Sequence, residues 1–550
     1  MMRLKLVSSL EKCFLDEDFD TKTAYTGGSM LMNEVFHFGA CFDEEMPVWN
    51  NVPYTLEVDS PLSAYIRVYT VEHVPSQMPV YRNRCDENYL RTTPGLYPDV
   101  LIPLNEPMRI AATNTLRSLF IEVMPSGQAD AGVYPIVLRA RNAAGEITAE
   151  AGLTLEIMDA RLPEQELINT EWFHCDCLQT YYGTASFDER HWTIIENFMK
   201  TAVKHGMNMI LTPIFTPPLD TYVGGERPTT QLIDVTVDGN GYHFDFSKLG
   251  RWIALCDKVG IRYLEIAHFF TQWGAAHAPK IMATVDGKEQ RIFGWDTDAA
   301  SDEYRRFLHA LIPAMLDYLR SQNEADQRCW FHISDEPEQE HLEQYRAARD
   351  TVKALLAGYP IIDALSNYEF YAKGVVDRPV VATDHIKPFL KHEVPALWVY
   401  YCCGQSVGVS NRFMAMPAAR NRVIGLQLYK YDIAGFLQWG YNFYNSQFSY
   451  HPINPYICTD GEYFVPSGDT FSVYPAPDGT AYASTRLAVF LEALQDLRAM
   501  KLCEQFYGKD YVIRLIEQDI EPIAFDAYPH SADWLLGVRE RINQAIKAAV

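Results

Sequence analysis

The stretch RCWFHISDEPE, residues 328–338, sets a run of strand-forming residues directly before Asp335, Glu336 and Pro337. Trp330, Phe331 and Ile333 favour an extended backbone, whereas Pro337 has no N–H for a ladder and restricts the residue before it. Adjacent strand residues point to opposite faces, so Asp335 and Glu336 can converge only where the strand has ended. Two readings stand side by side. In the plain one, Ser334 or Asp335 caps a helix, Pro337 sits in its first turn, and the glutamates favour its positive end. In the chemical one, two carboxylates at a strand tip divide acid and stabiliser roles on one substrate.

Outward from this stretch, strand and helix patterns alternate. Candidate strands are ELINTEWFHC (166–175), MNMILTPIFT (207–216), IRYLEIAHFF (261–270), RCWFHISDE (328–336), PIIDALSNYEF (360–370), PVVATDHIKPF (379–389), ALWVYYCC (396–403) and GFLQWGYNFY (435–444). Periodic helices such as SDEYRRFLHALIPAMLDYLRSQ (301–322) lie between them. Eight strands in βα alternation predict an α/β fold of the (β/α)8 TIM-barrel type over 165–505. A doubly wound open sheet is the rival, but no glycine-rich phosphate loop follows the first strand. Residues 1–160 differ, with short alternating strands such as AYIRVYTVEHV and GVYPIVLRARN punctuated by Gly, Pro and Asn, which predicts an antiparallel β-sandwich. ARLPEQE (160–166) is the linker, and 506–550 reads as a helical C-terminal tail.

Bulk composition narrows the partners. The 550 residues carry 47 basic and 71 acidic side chains, a formal charge of −24, with no basic run. Such a chain repels polyanions, so neither nucleic acid nor an anionic membrane is expected as partner. No stretch approaches the roughly 20 apolar residues of a membrane span. MMRLKLVSSLEKCFLDEDFD lacks the apolar core and cleavage site of a secretory signal, so a cytoplasmic location is expected. The 11 cysteines are odd in number and scattered, as buried thiols in a reducing compartment would be. HCDC (174–177) is C-x-C with no counterpart at zinc-finger spacing, which disfavours structural zinc.

Barrel active sites lie at the C-terminal strand ends. Those ends carry Trp172, His174 and Asp176, then Glu265, His268, Gln272 and Trp273, then Asp335 and Glu336, Asn367 and Tyr368, Asp384 and His385, Tyr400 and Tyr401, and finally Trp439, Tyr441 and Asn442. Such aromatics, amides and carboxylates suit a sugar, whose C–H patches cover aromatic faces while its hydroxyls bind polar groups. Each also has a plain reading: Trp172 and Trp439 as core, His268 and His332 as satisfied core histidines, Glu265 as an internal salt-bridge partner. A metal-hydrolase reading of the histidines and aspartates is disfavoured. The first strand offers H-x-D rather than paired histidines, the fourth no lysine and the eighth no carboxylate.

The blocks HFFTQWGAAHAPKI (268–281), FGWDTDA (293–299), FHISDEPE (331–338), DALSNYEFY (363–371), VSNRFMAMPAARNR (409–422), GFLQWGYNFYNSQ (435–447) and PSGDTFSVYPAPDG (466–479) resemble those of glycoside hydrolase family 123, whose characterised members are β-N-acetylgalactosaminidases. The resemblance covers essentially all of 165–505 and implies the same layout, a β-sandwich before a (β/α)8 barrel. It implies substrate-assisted retaining hydrolysis, with Asp335 orienting the 2-acetamido group and Glu336 as acid and then base. It implies a carbohydrate substrate and calls for no cofactor and no metal. Trp398, Trp439, Tyr368 and Tyr400 are candidates for the pocket of the acetamido methyl. Two alternatives stay open: a barrel glycosidase of other sugar specificity pairing Glu336 with a separate carboxylate, and a non-catalytic glycan-binding or scaffold protein. The sandwich can cap the barrel, bind carbohydrate or make a homo-oligomer, and strand patterns do not choose among these.

Overall fold

Alternation of apolar and polar residues drives the first 158 residues into two five-stranded sheets packed face to face. In the computed structural model, which describes residues 2–45 and 51–550, one sheet runs Met2–Ser8, Phe36–Glu44, Arg117–Val123, Ile66–Ser76, Gly95–Pro103. The other runs Gly27–Leu31, Ile147–Met158, Gly132–Arg141, Val52–Asp59, Arg109–Ala112. Inward residues such as Phe38, Ile121, Ile136, Leu138 and Leu155 fill the core between them. All pairings are antiparallel except that of Ile147–Met158 with Gly27–Leu31.

Eight parallel strands follow: β1 Ile168–Glu171, β2 Met209–Thr212, β3 Tyr263–Ile266, β4 Cys329–Phe331, β5 Ile362–Leu365, β6 Arg378–Ala382, β7 Trp398–Tyr400 and β8 Gly435–Gln438. They form one sheet in the order β4-β3-β2-β1-β8-β7-β6-β5. A single parallel bridge, Phe331 to Ile361, nearly closes it into a barrel. All eight coincide with strands expected from sequence, although each ladder is shorter than its apolar run. Two hairpins the sequence reading did not separate, Asp234–Asp245 and Ile281–Phe293, share a four-stranded sheet inserted after β2 and β3.

Sandwich and barrel are joined at several places, and two of them carry clustered polar contacts. The segment between Ile66–Ser76 and Gly95–Pro103 crosses to the C-terminal strand ends of the barrel. There the Asp86 carboxylate takes the Arg420 guanidinium at 2.8 Å, Arg84 donates to the Gly404 carbonyl at 2.5 Å and Tyr89 to that of Ser406 at 2.6 Å. At the other side, helices Thr485–Tyr507 and Ala532–Ala549 wedge between the two bodies. Arg422 reaches Glu492 at 2.5 Å and Asp496 at 2.7 Å, Arg539 bridges Asp496 and Glu34, and Glu492 accepts from Ser9 at 3.0 Å and lies 3.1 Å from His37. Among the described residues no helix is long and apolar enough to cross a membrane.

Candidate active site

The β4 ladder stops at Phe331, four residues before the carboxylate pair, and the chain beyond it is held from both sides. The Ile333 N–H donates to the Asp363 carboxylate on β5 at 3.0 Å. On the other side, the loop after β3 takes the Ser334 hydroxyl on the Thr271 carbonyl at 2.8 Å, and the Trp273 N–H donates to the Asp335 carbonyl at 3.0 Å. Glu336 then turns through a left-handed φ of 40°, a conformation costly for a side chain that bears a Cβ. The helix-cap expectation needs correction. Ser334 is spent on Thr271, and buried Pro337 precedes the cap instead of sitting in the first turn. The cap is Glu338, which forms a capping box with His341 around the turn Gln339–His341 that leads into helix Leu342–Lys353.

Asp335 and Glu336 open into a cavity of about 510 Å³, within the span of small-molecule sites. Trp172, Trp273, Tyr400 and Trp439 also line it. Burial raises the Glu336 carboxyl above its ordinary range, while the Tyr400 hydroxyl, donating to Oε1 at 2.7 Å, draws it back. Burial and the facing Glu336 charge raise Asp335 further, opposed by the positive charge of His332. The Tyr400 hydroxyl thus serves Glu336, and among the described residues the donor to the Asp335 carboxylate is the Glu336 backbone N–H. Such a pair retains a proton in the free protein.

A buried chain of hydrogen bonds underlies the pair. Glu265 on β3 accepts from the Trp172 indole at 2.8 Å, from Thr170, and from His332 at 2.7 Å. The other His332 nitrogen lies 3.2 Å from Asp363, which also accepts from Tyr345. Burial alone would lower the His332 pKa, but hydrogen bonds to Asp363 and Glu265 hold it at about 9, so it is an imidazolium between two carboxylates. His268 stacks on it at 4.2 Å with neither ring nitrogen bonded, kept neutral by burial and by the His332 charge. His268, His332 and Asp363 are close enough to share a metal ion, but both His332 nitrogens are already engaged.

The remaining expected residues lie elsewhere. His174 sits between the Trp439 carbonyl at 3.0 Å and Arg227 at 3.1 Å, and Asp176 holds Arg227 through 2.7 and 2.8 Å bonds, all buried. Asn442 exchanges hydrogen bonds with the His174 backbone, and Tyr441 donates to the Phe198 carbonyl at 2.9 Å. Asn367 accepts from the Glu369 N–H at 2.9 Å, and Tyr368 stacks on His392. Trp398 stands at the start of β7 and lines a separate cavity of about 690 Å³ at the opposite mouth of the barrel with Trp330 and Arg378. None of these seven lines the cavity of the carboxylate pair. Conversely Asp220, Gln447, Phe448 and Phe464 do, from loops without periodicity. Burial pushes Asp220 up to about 7.

Residues 172–503 match the sequence profile of the Glycoside hydrolase 123, catalytic domain. No curated protein matches the chain. The structure is similar to that of the family 123 glycoside hydrolase from Clostridium perfringens, analysed for glycolipid glycan hydrolysis, at a TM-score of 0.74 and 17% identity, covering 100% of this chain and 98% of that one. An endo-β-1,4-mannanase from Thermotoga petrophila (TM-score 0.34, 13% identity, 62% and 78% covered) and a β-galacturonidase from Eisenbergiella tayi (0.33, 11%, 90% and 72%) are too distant to bear on fold or function.

Proposed function

The chain belongs to glycoside hydrolase family 123, and on that premise we propose that it releases a terminal β-linked N-acetylhexosamine, galacto-configured by preference, by substrate-assisted catalysis with retention. The carrying observation is the half-buried Asp335–Glu336 pair opening into a walled cavity large enough for a sugar ring. The 2-acetamido carbonyl oxygen attacks the anomeric carbon as the glycosidic bond breaks, giving a cyclic oxazolinium. The acetamido N–H, by donating to Asp335, favours the ionised form there and leaves the proton of the pair on Glu336, which gives it to the leaving oxygen and then takes one from the water that opens the ring. Asp335 accepts the acetamido N–H. Among the described residues this carboxylate has one backbone donor, so the substrate supplies a second, and the bond strengthens as the N–H becomes cationic. Trp172, Tyr400 and Trp439 supply faces for the acetamido methyl and the ring.

A protein nucleophile would have to come from another carboxylate on the cavity. Asp220 and Glu338 line it too, but both are engaged elsewhere: the Asp220 carboxylate accepts from the Phe448 N–H at 2.9 Å, and the Glu338 carboxylate caps the turn Gln339–His341. The test compares 4-nitrophenyl β-N-acetylgalactosaminide, β-N-acetylglucosaminide and β-galactoside with wild type, Asp335→Asn and Glu336→Gln. Loss of at least 100-fold in kcat for both variants is expected, together with inhibition by a thiazoline mimic of the oxazolinium. Turnover of the simple galactoside at a comparable rate would refute substrate assistance.

A further inference from the structure

Strand β7 ends at Tyr400, and the chain just beyond it sets two cysteines side by side, Cys402 and Cys403. Past the last ladder residue the alternation of faces lapses, so sequence neighbours can open onto one space. Both line the cavity of the carboxylate pair, and neither is fully buried. The turn that carries them is held on every side. The Cys402 N–H donates to the Gln405 side-chain carbonyl at 2.9 Å, and the Gln405 N–H donates back to the Cys402 carbonyl at 3.1 Å. Asn411 donates to the Cys402 and Gln405 carbonyls at 2.8 and 2.9 Å, the Gln405 amide reaches Asp384 at 2.8 Å, and the Cys403 N–H goes to Asp469.

The two thiols meet each other and face the acid. The hydrogen bond between them, then burial, then the charges of Cys403 and Glu336 hold the Cys402 thiol well above the usual thiol range, so it stays protonated. Two other cysteine pairs, Cys13 with Cys41 and Cys175 with Cys177, are buried and out of reach of solutes. A direct bond between the two cavity sulfurs is a poor use of them. Adjacent Cα atoms lie about 3.8 Å apart across a trans peptide such as this one, short of the roughly 4.4–6.8 Å that a relaxed disulfide spans. One atom inserted between the sulfurs lifts that constraint.

We propose that Cys402 and Cys403 form a chelating site for trivalent arsenic, and that the bound arsenical closes the cavity to substrate. The ligand class follows from the donors. Two soft sulfurs select a thiophilic centre, whereas zinc would call for four ligands in a tetrahedron. The reaction needs no thiolate and no oxidant. Each As–OH bond of an arsonous acid, R–As(OH)2, gives way to an As–S bond, and the two thiol protons leave with the two hydroxyls as water. No electron moves, and arsenic stays trivalent. The product lies beside Glu336, where the leaving oxygen must be protonated, so it excludes substrate whichever sugar is cut.

The test treats the protein with phenylarsine oxide and follows both intact mass and residual glycosidase rate. Wild type is expected to gain one phenylarsenic group per chain and to lose activity in step, both reversed by 2,3-dimercaptopropanol. Cys402→Ala and Cys403→Ala, each judged against its own untreated rate, are expected to bind about 100-fold more weakly, because one sulfur cannot chelate. Cys85→Ala, which removes an exposed thiol, is expected to change neither readout. Should an alanine variant fail to fold, Cys402→Ser and Cys403→Ser replace it with the same expectation. Labelling and inhibition that persist in a variant of either cavity cysteine overturn the proposal, and so does labelling of wild type that leaves turnover intact. If wild type cleaves no glycoside, the reaction proposed above fails and mass alone judges the site. One-to-one labelling that both cavity variants lose supports it, and absent or retained labelling overturns it.

Discussion

At the level of single residues, the site turns on which carboxylate receives which donor. Tyr400 draws Glu336 down against the upward push of burial. Tyr400→Phe is therefore expected to move the alkaline limb of the kcat/KM profile to higher pH, because the acid form of Glu336 then persists longer; the measurement is a pH–rate series. His332 carries the opposite sign of linkage. Its pKa near 9 lies above the ordinary 6.5, so its ion pairs stabilise the fold fully below pH 6.5 and are lost as pH rises through 9. His332→Gln, which leaves Glu265 and Asp363 buried without their cation, is expected to cost about 3 kcal/mol at pH 7 in urea unfolding. The variant is also expected to lose the wild-type decline in stability between pH 6.5 and 9. The carboxylate pair was legible in sequence because Pro337 marks the end of the extended run. The chain of Glu265, His332 and Asp363 was visible only as separate polar residues, since partners on neighbouring strands leave no trace in the spacing along one strand.

At the level of elements, strand positions were readable and their heights in the barrel were not. Period-2 alternation places Trp398 and Tyr400 on the same side of β7, yet Trp398 opens onto one mouth of the barrel and Tyr400 onto the other. His174, Asp176, Tyr441 and Asn442 lie beyond the last ladder residues of β1 and β8, where alternation no longer says which way a side chain points. Asp220 and Phe448, in loops, carried no periodic signal at all. Helix contacts were equally silent. Helix Ile424–Lys430 approaches helix Thr485–Tyr507 so closely that a Cβ on Gly425 would lie 2.2 Å from the Ala493 carbonyl oxygen. Gly425→Ala is accordingly expected to destabilise the barrel by about 1–3 kcal/mol, read as a lowered urea midpoint at unchanged slope.

At the level of the whole molecule, charge buried between sandwich and barrel makes them one mechanical unit. Among the described residues Arg422 is the only cation in contact with Glu492 apart from His37, and it shares Asp496 with Arg539. Arg422→Met is expected to cost about 3–5 kcal/mol and to split a single calorimetric transition into two, with the sandwich melting apart from the barrel. The change of pattern near residue 160 was plain in the sequence, but the clasp across it was not, because its members are hundreds of positions apart. Glu34, for example, meets Arg539. That pairing has a consequence for how the protein is made. At ribosomal speeds of about 5–20 residues per second, Glu34 emerges roughly 25 to 100 seconds before its cation. Through that interval the newborn sandwich carries an unmatched acid on the face the barrel will cover, and synthesis itself times the moment when the two can lock.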